Sequence, residues 1–286
     1  MRIAIVGSKG MLAHDIIKVF KDDRKNELFL YDKHNCDLIH THIPTKKIFI
    51  ENPKPDILIN CSGYNFVDKA ESDADNCYAI NSLAVEFLAN ACNKYGTKLI
   101  HFSSDYVFDG EKKEPYREDD ETNPLGVYGK SKLYGEISAQ KAWDHIVVRT
   151  AWLFGENGKN FVDIMISKLK KNKPFKVVSD QFGCPTYSVD LSNAVKRLVD
   201  KNFLGLIHIT NKNENGISWY DFAIRIAEIS NLNKDLITPC SSDKYKTIAK
   251  RPKYSTLCCD KFLKSENEYI HPWDYTLLKY LKEKEK

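Results

Sequence analysis

No C-x-x-C pair occurs among the eight cysteines, at positions 36, 61, 77, 92, 184, 240, 258 and 259, and none stands at ligand-like spacing from a histidine. A structural zinc site is therefore not expected, because such sites draw their ligands from closely spaced pairs. Several of the thiols sit in apolar runs, as in Ile59-Asn60-Cys61 and Ala91-Cys92, which suits free, buried cysteines in a reducing compartment. No apolar run approaches the roughly 18 residues that cross a bilayer. Met1 leads straight into the strand-like run Arg2-Ile3-Ala4-Ile5-Val6, so neither a membrane span nor a leader is expected, and the expected location is cytoplasmic. A charge excess is missing too: 43 Lys and Arg face 39 Asp and Glu, a formal net charge of +4. That is too small and too dispersed to mark a nucleic-acid partner. The basic runs Lys168-Leu169-Lys170-Lys171 and Lys279 to Lys286 read as solvated helix faces.

The chain has no internal repeat and no flexible linker. It has 286 residues, 42% hydrophobic and 29% charged, which describes a globular protein with one large core or two fused lobes. Its first 150 residues alternate short apolar runs with longer helical patterns. Strands are expected at Arg2–Val6, Leu28–Tyr31, Asp56–Asn60, Lys98–Phe102 and Ile146–Val148. Helices are expected over Gly10–Phe20, over Cys77–Tyr95 with its stop at Gly96, and around Tyr128. Such alternation means β-α-β units, hence an α/β fold with a doubly wound parallel sheet covered on both faces. Beyond Arg149 the pattern loosens. Helices at Phe161–Leu169, Leu191–Val199 and Trp219–Ile229 and a strand at Leu206–Ile209 suggest a smaller α/β lobe, from which the chain is free to return to the first.

Gly7-Ser8-Lys9-Gly10-Met11-Leu12-Ala13 joins the first strand to the first helix. Glycines at 7 and 10 allow a tight turn and a close approach of backbone to a pyrophosphate, which the helix N-terminus favours. Asp32 ends the second strand, where a carboxylate can accept from adenosine ribose hydroxyls and favour NAD. Lys33 and His34 beside it suit a 2′-phosphate instead, and a plain turn aspartate fits equally well, so NADH and NADPH both stay open.

The fourth strand runs into Ser103-Ser104-Asp105-Tyr106, at the sheet end where ligands bind in such folds. Tyr128 and Lys132 stand 24 and 28 residues beyond Ser104 and four apart, on one helix face. An ammonium near a phenol lowers its pKa from about 10 and makes it a tuned proton donor for carbonyl reduction.

The glycine turn, the strand-four serine and the Y-x-x-x-K pair resemble the extended short-chain dehydrogenase/reductases, with their Rossmann-type domain. Longer blocks resemble one branch, the dTDP-4-dehydrorhamnose reductases. Among them are Val67-Asp68-Lys69-Ala70-Glu71, Phe102 to Gly110, Pro124 to Lys132, Arg149 to Gly155, Asp180 to Thr186 and Arg251 to Ser255. The resemblance implies hydride transfer from NADPH or NADH to C4 of dTDP-4-dehydro-6-deoxy-L-mannose, a dTDP-linked 4-keto-6-deoxysugar. It implies Tyr128 as proton donor, Lys132 as its tuner and ribose holder, and Ser104 as the group orienting the carbonyl. Asp105 and Trp152 match sugar-nucleotide positions. Gly7, Gly10, Met11, Leu12, Asp32, Asp37, Leu38, Gly63, Tyr64, Asn65 and Phe102 match the dinucleotide positions. Residues 1–150 are then the NAD(P)-binding domain and 151–286 mainly the sugar-nucleotide lobe.

Tyr64 and Asn65 replace the branch's usual His-Thr pair, and Cys184 stands where a small residue is usual, which makes it a buried apolar group and not a nucleophile. Some members pair as dimers around magnesium. The acids for that are not matched here, so a homodimer stays open and no metal is expected. Two other readings remain: a reductase of a different nucleotide-linked ketosugar, and a non-catalytic subunit like the β subunit of methionine adenosyltransferase. Asp105, where GDP-fucose synthases carry cysteine, argues against that epimerising member of the first group, and the retained Tyr128–Lys132 pair argues against the second; another nucleotide-linked ketosugar stays open.

Overall fold

The computed structural model describes residues 1–39, 42–266 and 269–284. Through the first lobe the elements are β1 (Arg2–Val6), α1 (Met11–Lys21), β2 (Glu27–Tyr31), α2 (His42–Phe49), β3 (Ile57–Asn60), α3 (Val67–Ala70), α4 (Ala74–Tyr78), α5 (Ala84–Tyr95), β4 (Lys98–Ser104), α6 (Val127–Ala139) and β5 (His145–Thr150). A π-turn, Ala79–Leu83, joins α4 to α5. There follow β6 (Leu153–Phe154), α7 (Phe161–Lys170), β7 (Phe175–Val178), β8 (Phe182–Gly183), β9 (Thr186–Tyr187), α8 (Ser188–Asp200), β10 (Gly205–His208), β11 (Ile217–Ser218), α9 (Trp219–Ile229), β12 (Ile237–Cys240), α10 (Asp260–Glu266) and α11 (Trp273–Lys284).

Six strands form one parallel sheet in the order β10-β5-β4-β3-β1-β2. The doubly wound expectation is met. The order reverses between β1 and β3, which opens a crevice at their C-terminal ends. Burial on both faces explains the unbroken apolar runs. Alternate residues Ile3, Ile5, Ile57, Ile59, Ile100 and Val148 face a core closed by α1 and α8. Ala4, Val6, Leu58, Leu99 and Val147 face α2, α5 and α6. Each fully buried Ile or Leu contributes about 1.5–3 kcal/mol, so the sheet interior is the stable frame on which the strand ends are fixed.

The second core lies between α7, α9 and α11 around Phe154, Met165, Tyr187, Phe222, Leu277 and Tyr280. The chain does return: β10 extends the sheet beside β5, and α8 packs on α1. The basic run at the C-terminus lies on α11, whose other face buries Leu277, Tyr280 and Leu281; its last two residues fall outside the described ones. All eight cysteines are free. Among the described residues no helix is long and apolar enough to cross a membrane.

Candidate active site

The β1–α1 turn closes on glycine geometry. Gly7 has φ 76°, and a Cβ there would stand 2.7 Å from the Ser62 backbone nitrogen, so β3's exit and the turn touch only because the side chain is absent. The Gly10 amide donates to the Gly7 carbonyl at 2.9 Å. Gly10 caps α1 without a side-chain hydrogen bond, and the first turn carries no acid. The leading amides and the positive helix end are thus left for an anion, so these residues fit a pyrophosphate.

A cavity of about 430 Å³ lies over this turn, lined by Gly7, Gly10, Asp32, Asp37, Leu38, Gly63 and Asn65 among others. It shares Gly10, Cys61, Ser62 and Asn65 with a second cavity of about 320 Å³, lined by Met11, Leu12, Phe102, Ser104, Asp105, Tyr128, Lys132 and Trp152. The two form one groove, and it gathers all but one of the expected site residues. The exception is Tyr64, which is buried with its hydroxyl on Asp73 at 2.9 Å and its ring among Ala70 and Cys77.

Asp32 is both a turn residue and a wall residue. Its carboxylate accepts from the backbone N–H of His34 at 2.7 Å and pairs with the Lys9 ammonium at 2.8 Å. The Lys9 contact, with that amide, holds its pKa below the usual carboxylate range.

At the other end, the buried Ser104 hydroxyl donates to Asp105 Oδ1 at 3.0 Å and accepts from the Tyr106 amide at 3.2 Å. Ser103 turns the other way and donates to Glu136. Tyr128 projects from the first turn of α6, where Glu71 accepts the Val127 amide at 2.9 Å. The α6 helix packs unusually close: a Cβ on Gly129 would lie 2.3 Å from the Tyr106 carbonyl oxygen. The Tyr128 ring meets Tyr106 edge-on at 5.6 Å.

The electrostatics differ from the spacing argument. Burial raises the Tyr128 pKa and Asp105 adds to this, while a hydrogen bond with Ser104 pulls it down. Lys132 is not among the groups that set the phenol's shift; its ammonium donates to the Phe102 carbonyl at 2.5 Å. Burial lowers Lys132 from 10.5 to about 8, opposed chiefly by Glu136. Glu136 is buried in a two-pronged pair with Arg149, at 2.9 and 2.8 Å. The expected depression of the phenol is thus corrected to a rise, set chiefly by desolvation.

Trp152 adopts φ 46° and stacks on Trp219 with ring centroids 3.3 Å apart. That stack separates the groove from a third cavity of about 290 Å³, walled by Asp68, Arg251, Lys168, Lys176, Gln181 and Trp219. Arg251 bridges the lobes by gripping Asp68 at 2.7 and 3.1 Å. Cys184 is buried, and desolvation raises its thiol to about 12, as suits an inert apolar group. Among the described residues no cluster of His, Cys, Asp or Glu could hold a metal ion. No site role was expected for Lys9, Ser62, Lys159 or Ser255. Lys9 sits inside the glycine turn and Ser255 closes the Arg251 to Ser255 block, but nothing local to Ser255 points to its place beside Asp105.

The model of the family described as RmlD substrate binding domain matches residues 1–286. A dTDP-4-dehydrorhamnose reductase of Aggregatibacter actinomycetemcomitans is 34% identical over 288 residues, covering 96% of this chain and 97% of the relative. A crystal structure of a dTDP-4-dehydrorhamnose reductase from Clostridium acetobutylicum superposes with TM-score 0.94 at 37% identity, covering 100% of both chains. One from Bacillus anthracis, in complex with NADP, gives TM-score 0.93 at 30% identity over 99% of each.

Proposed function

Because the chain belongs to the RmlD substrate binding domain family, we propose that it is an NAD(P)H-dependent reductase acting on C4 of dTDP-4-dehydro-6-deoxy-L-mannose. The product is dTDP-L-rhamnose, and the reaction is the last step of its synthesis. One observation carries the reading: a single groove runs from the open helix end at Gly10 to Ser104, Tyr128 and Lys132.

The reduced nicotinamide supplies the hydride when bound. Met11 and Leu12 amides hold the pyrophosphate, and Asp32, Asp37, Leu38 and Lys9 line the adenosine end. Phe102, Gly63 and Asn65 wall the way to the nicotinamide. Tyr128 gives its phenolic proton to the C4 oxygen; the high pKa that burial confers keeps that proton on the phenol until negative charge develops there. Ser104 orients the carbonyl. Lys132 presents its ammonium to the nicotinamide ribose and to the phenolate left behind. Asp105 and Trp152 face the sugar, while Arg251, Lys168 and Lys176 offer cations to the nucleotide diphosphate from the neighbouring cavity. On this reading residues 1–150 are chiefly the dinucleotide half and 151–286 chiefly the sugar-nucleotide half. The setting is cytoplasmic, and neither membrane nor nucleic acid is a partner.

The test is oxidation of NADPH or NADH by purified protein given the dTDP-linked 4-keto-6-deoxy-L-sugar, with the product's C4 configuration read by NMR. Tyr128→Phe is expected to lose at least about 100-fold in turnover with cofactor binding retained. Faster turnover of a UDP- or GDP-linked ketosugar, or an active Phe variant, would overturn the assignment.

A further inference from the structure

We propose that Ser255 is a positioning residue which, through Asp105, decides whether Ser104 turns a proton or a lone pair toward the reacting carbonyl. The proposal rests on the reductase reading above and adds a control that reading does not contain.

The geometry is a three-member chain across the lobes. Ser255 Oγ donates to Asp105 Oδ2 at 2.5 Å, from 150 residues further along the chain. Ser104 Oγ donates to the other oxygen, Oδ1, at 3.0 Å. All three residues are buried. The later lobe fixes Ser255 through its own backbone, whose amide donates to the Phe182 carbonyl at 2.9 Å.

An ionised carboxylate only accepts, and a serine has one proton. While Asp105 is ionised, the Ser104 proton is committed to Oδ1. Its oxygen accepts from the Tyr106 amide, so no proton is left to give a carbonyl in the groove. A neutral Asp105 reverses the bond. Its own proton, on Oδ1, is donated to Ser104 Oγ, and the Ser104 hydrogen becomes free to swing into the cavity that both residues line. One proton on Asp105 therefore sets the polarity of Ser104.

The surroundings make that proton titratable. Asp105 is faced by the Tyr106 and Tyr128 phenols and the Cys184 thiol, and burial raises the pKa of all three. Arg251 acts on Tyr106, and its carboxylate partner is Asp68. Desolvation raises the Asp105 carboxyl to about 6, with Ser255 first among the groups that pull it back down. Removing the Ser255 hydroxyl takes away a hydrogen bond that is stronger to the charged form than to the neutral one, so the carboxyl rises further.

The experiment is the pH dependence of initial reduction rates, read with and without the hydroxyl, together with ¹³C NMR titration of the Asp105 carboxyl. In the wild type kcat is expected to fall as pH rises through the Asp105 pKa. Ser255→Ala is expected to move that fall upward by about one pH unit, a tenfold change in the neutral-to-ionised ratio, with Ser255→Thr restoring it. Asp105→Asn is expected to abolish the limb at a reduced, pH-independent rate. A Ser255→Ala profile that is uniformly lowered, unshifted, or rising with pH overturns the proposal, as does an unmoved Asp105 resonance. Absence of turnover in the wild type would instead sink the reductase reading, and the NMR titration would still test the Ser255–Asp105 link.

Discussion

Replacing Lys132 by methionine should make the protein more stable and nearly inactive. Lys132 is 4% exposed, and burial lowers its pKa from 10.5 to about 8. The unfolded chain therefore holds this proton more tightly than the folded one does. Between pH 8 and 10.5 the unfolded state binds the extra proton, so this group makes stability rise with pH there, and below pH 8 the full cost of the buried ammonium is present. At about 1.4 kcal/mol for each pH unit, that cost is roughly 3 kcal/mol. Methionine keeps most of the volume and removes the charge, but leaves the Phe102 carbonyl without this donor, a loss of about 1–2 kcal/mol. The net expectation for Lys132→Met at pH 7 is a gain of about 1–2 kcal/mol, with turnover down at least about 100-fold. Urea unfolding at pH 7 and again near pH 10 is the measurement, and the gain should vanish at the higher pH. An unfolding midpoint at pH 7 equal to or below that of the wild type would refute the desolvation argument. A gain of equal size at both pH values would refute its attribution to the proton.

Glu136→Ala removes a buried carboxylate held between Arg149 and Ser103 and strands the Arg149 guanidinium, which is 3% exposed. The expected loss is about 3–5 kcal/mol by chemical unfolding, and a loss under about 1 kcal/mol would mean that the pair is not buried as described. Lys9→Ala frees the Asp32 carboxylate, now 2.8 Å from the Lys9 ammonium, and leaves its charge facing the adenosine end. Fluorescence titration is expected to show the NADPH Kd rising about tenfold, the size of one charge-assisted contact, and the NADH Kd much less. Equal losses for both cofactors would remove Lys9 from any role at a 2′-phosphate.

The parts legible in the sequence are those imposed by local pattern. Burial on both faces forces the runs Ile3–Val6 and Ile57–Ile59 to be apolar throughout, and Gly96, at φ 61°, ends α5 where its type says it should. A parallel sheet then brings its strand exits together, so the Gly7 turn and Ser104 share one groove as a consequence of topology. Two features escape that logic. The π-turn at Ala79–Leu83 is set against α6, where a Cβ on Gly135 would stand 2.1 Å from the Asn81 carbonyl oxygen; no periodicity encodes a contact 54 residues away. The links Asp68–Arg251 and Asp105–Ser255 span 183 and 150 residues, and although all four residues lie in the blocks that resemble the family, no local pattern says which of them pair. The Tyr128–Lys132 pair shows where the boundary falls. Spacing by four fixes a shared helix face, but the end of a four-carbon stem is fixed by whichever acceptor lies within reach, here the Phe102 carbonyl. The sign of the phenol's pKa shift follows from burial, and burial, like that destination, belongs to the assembled structure.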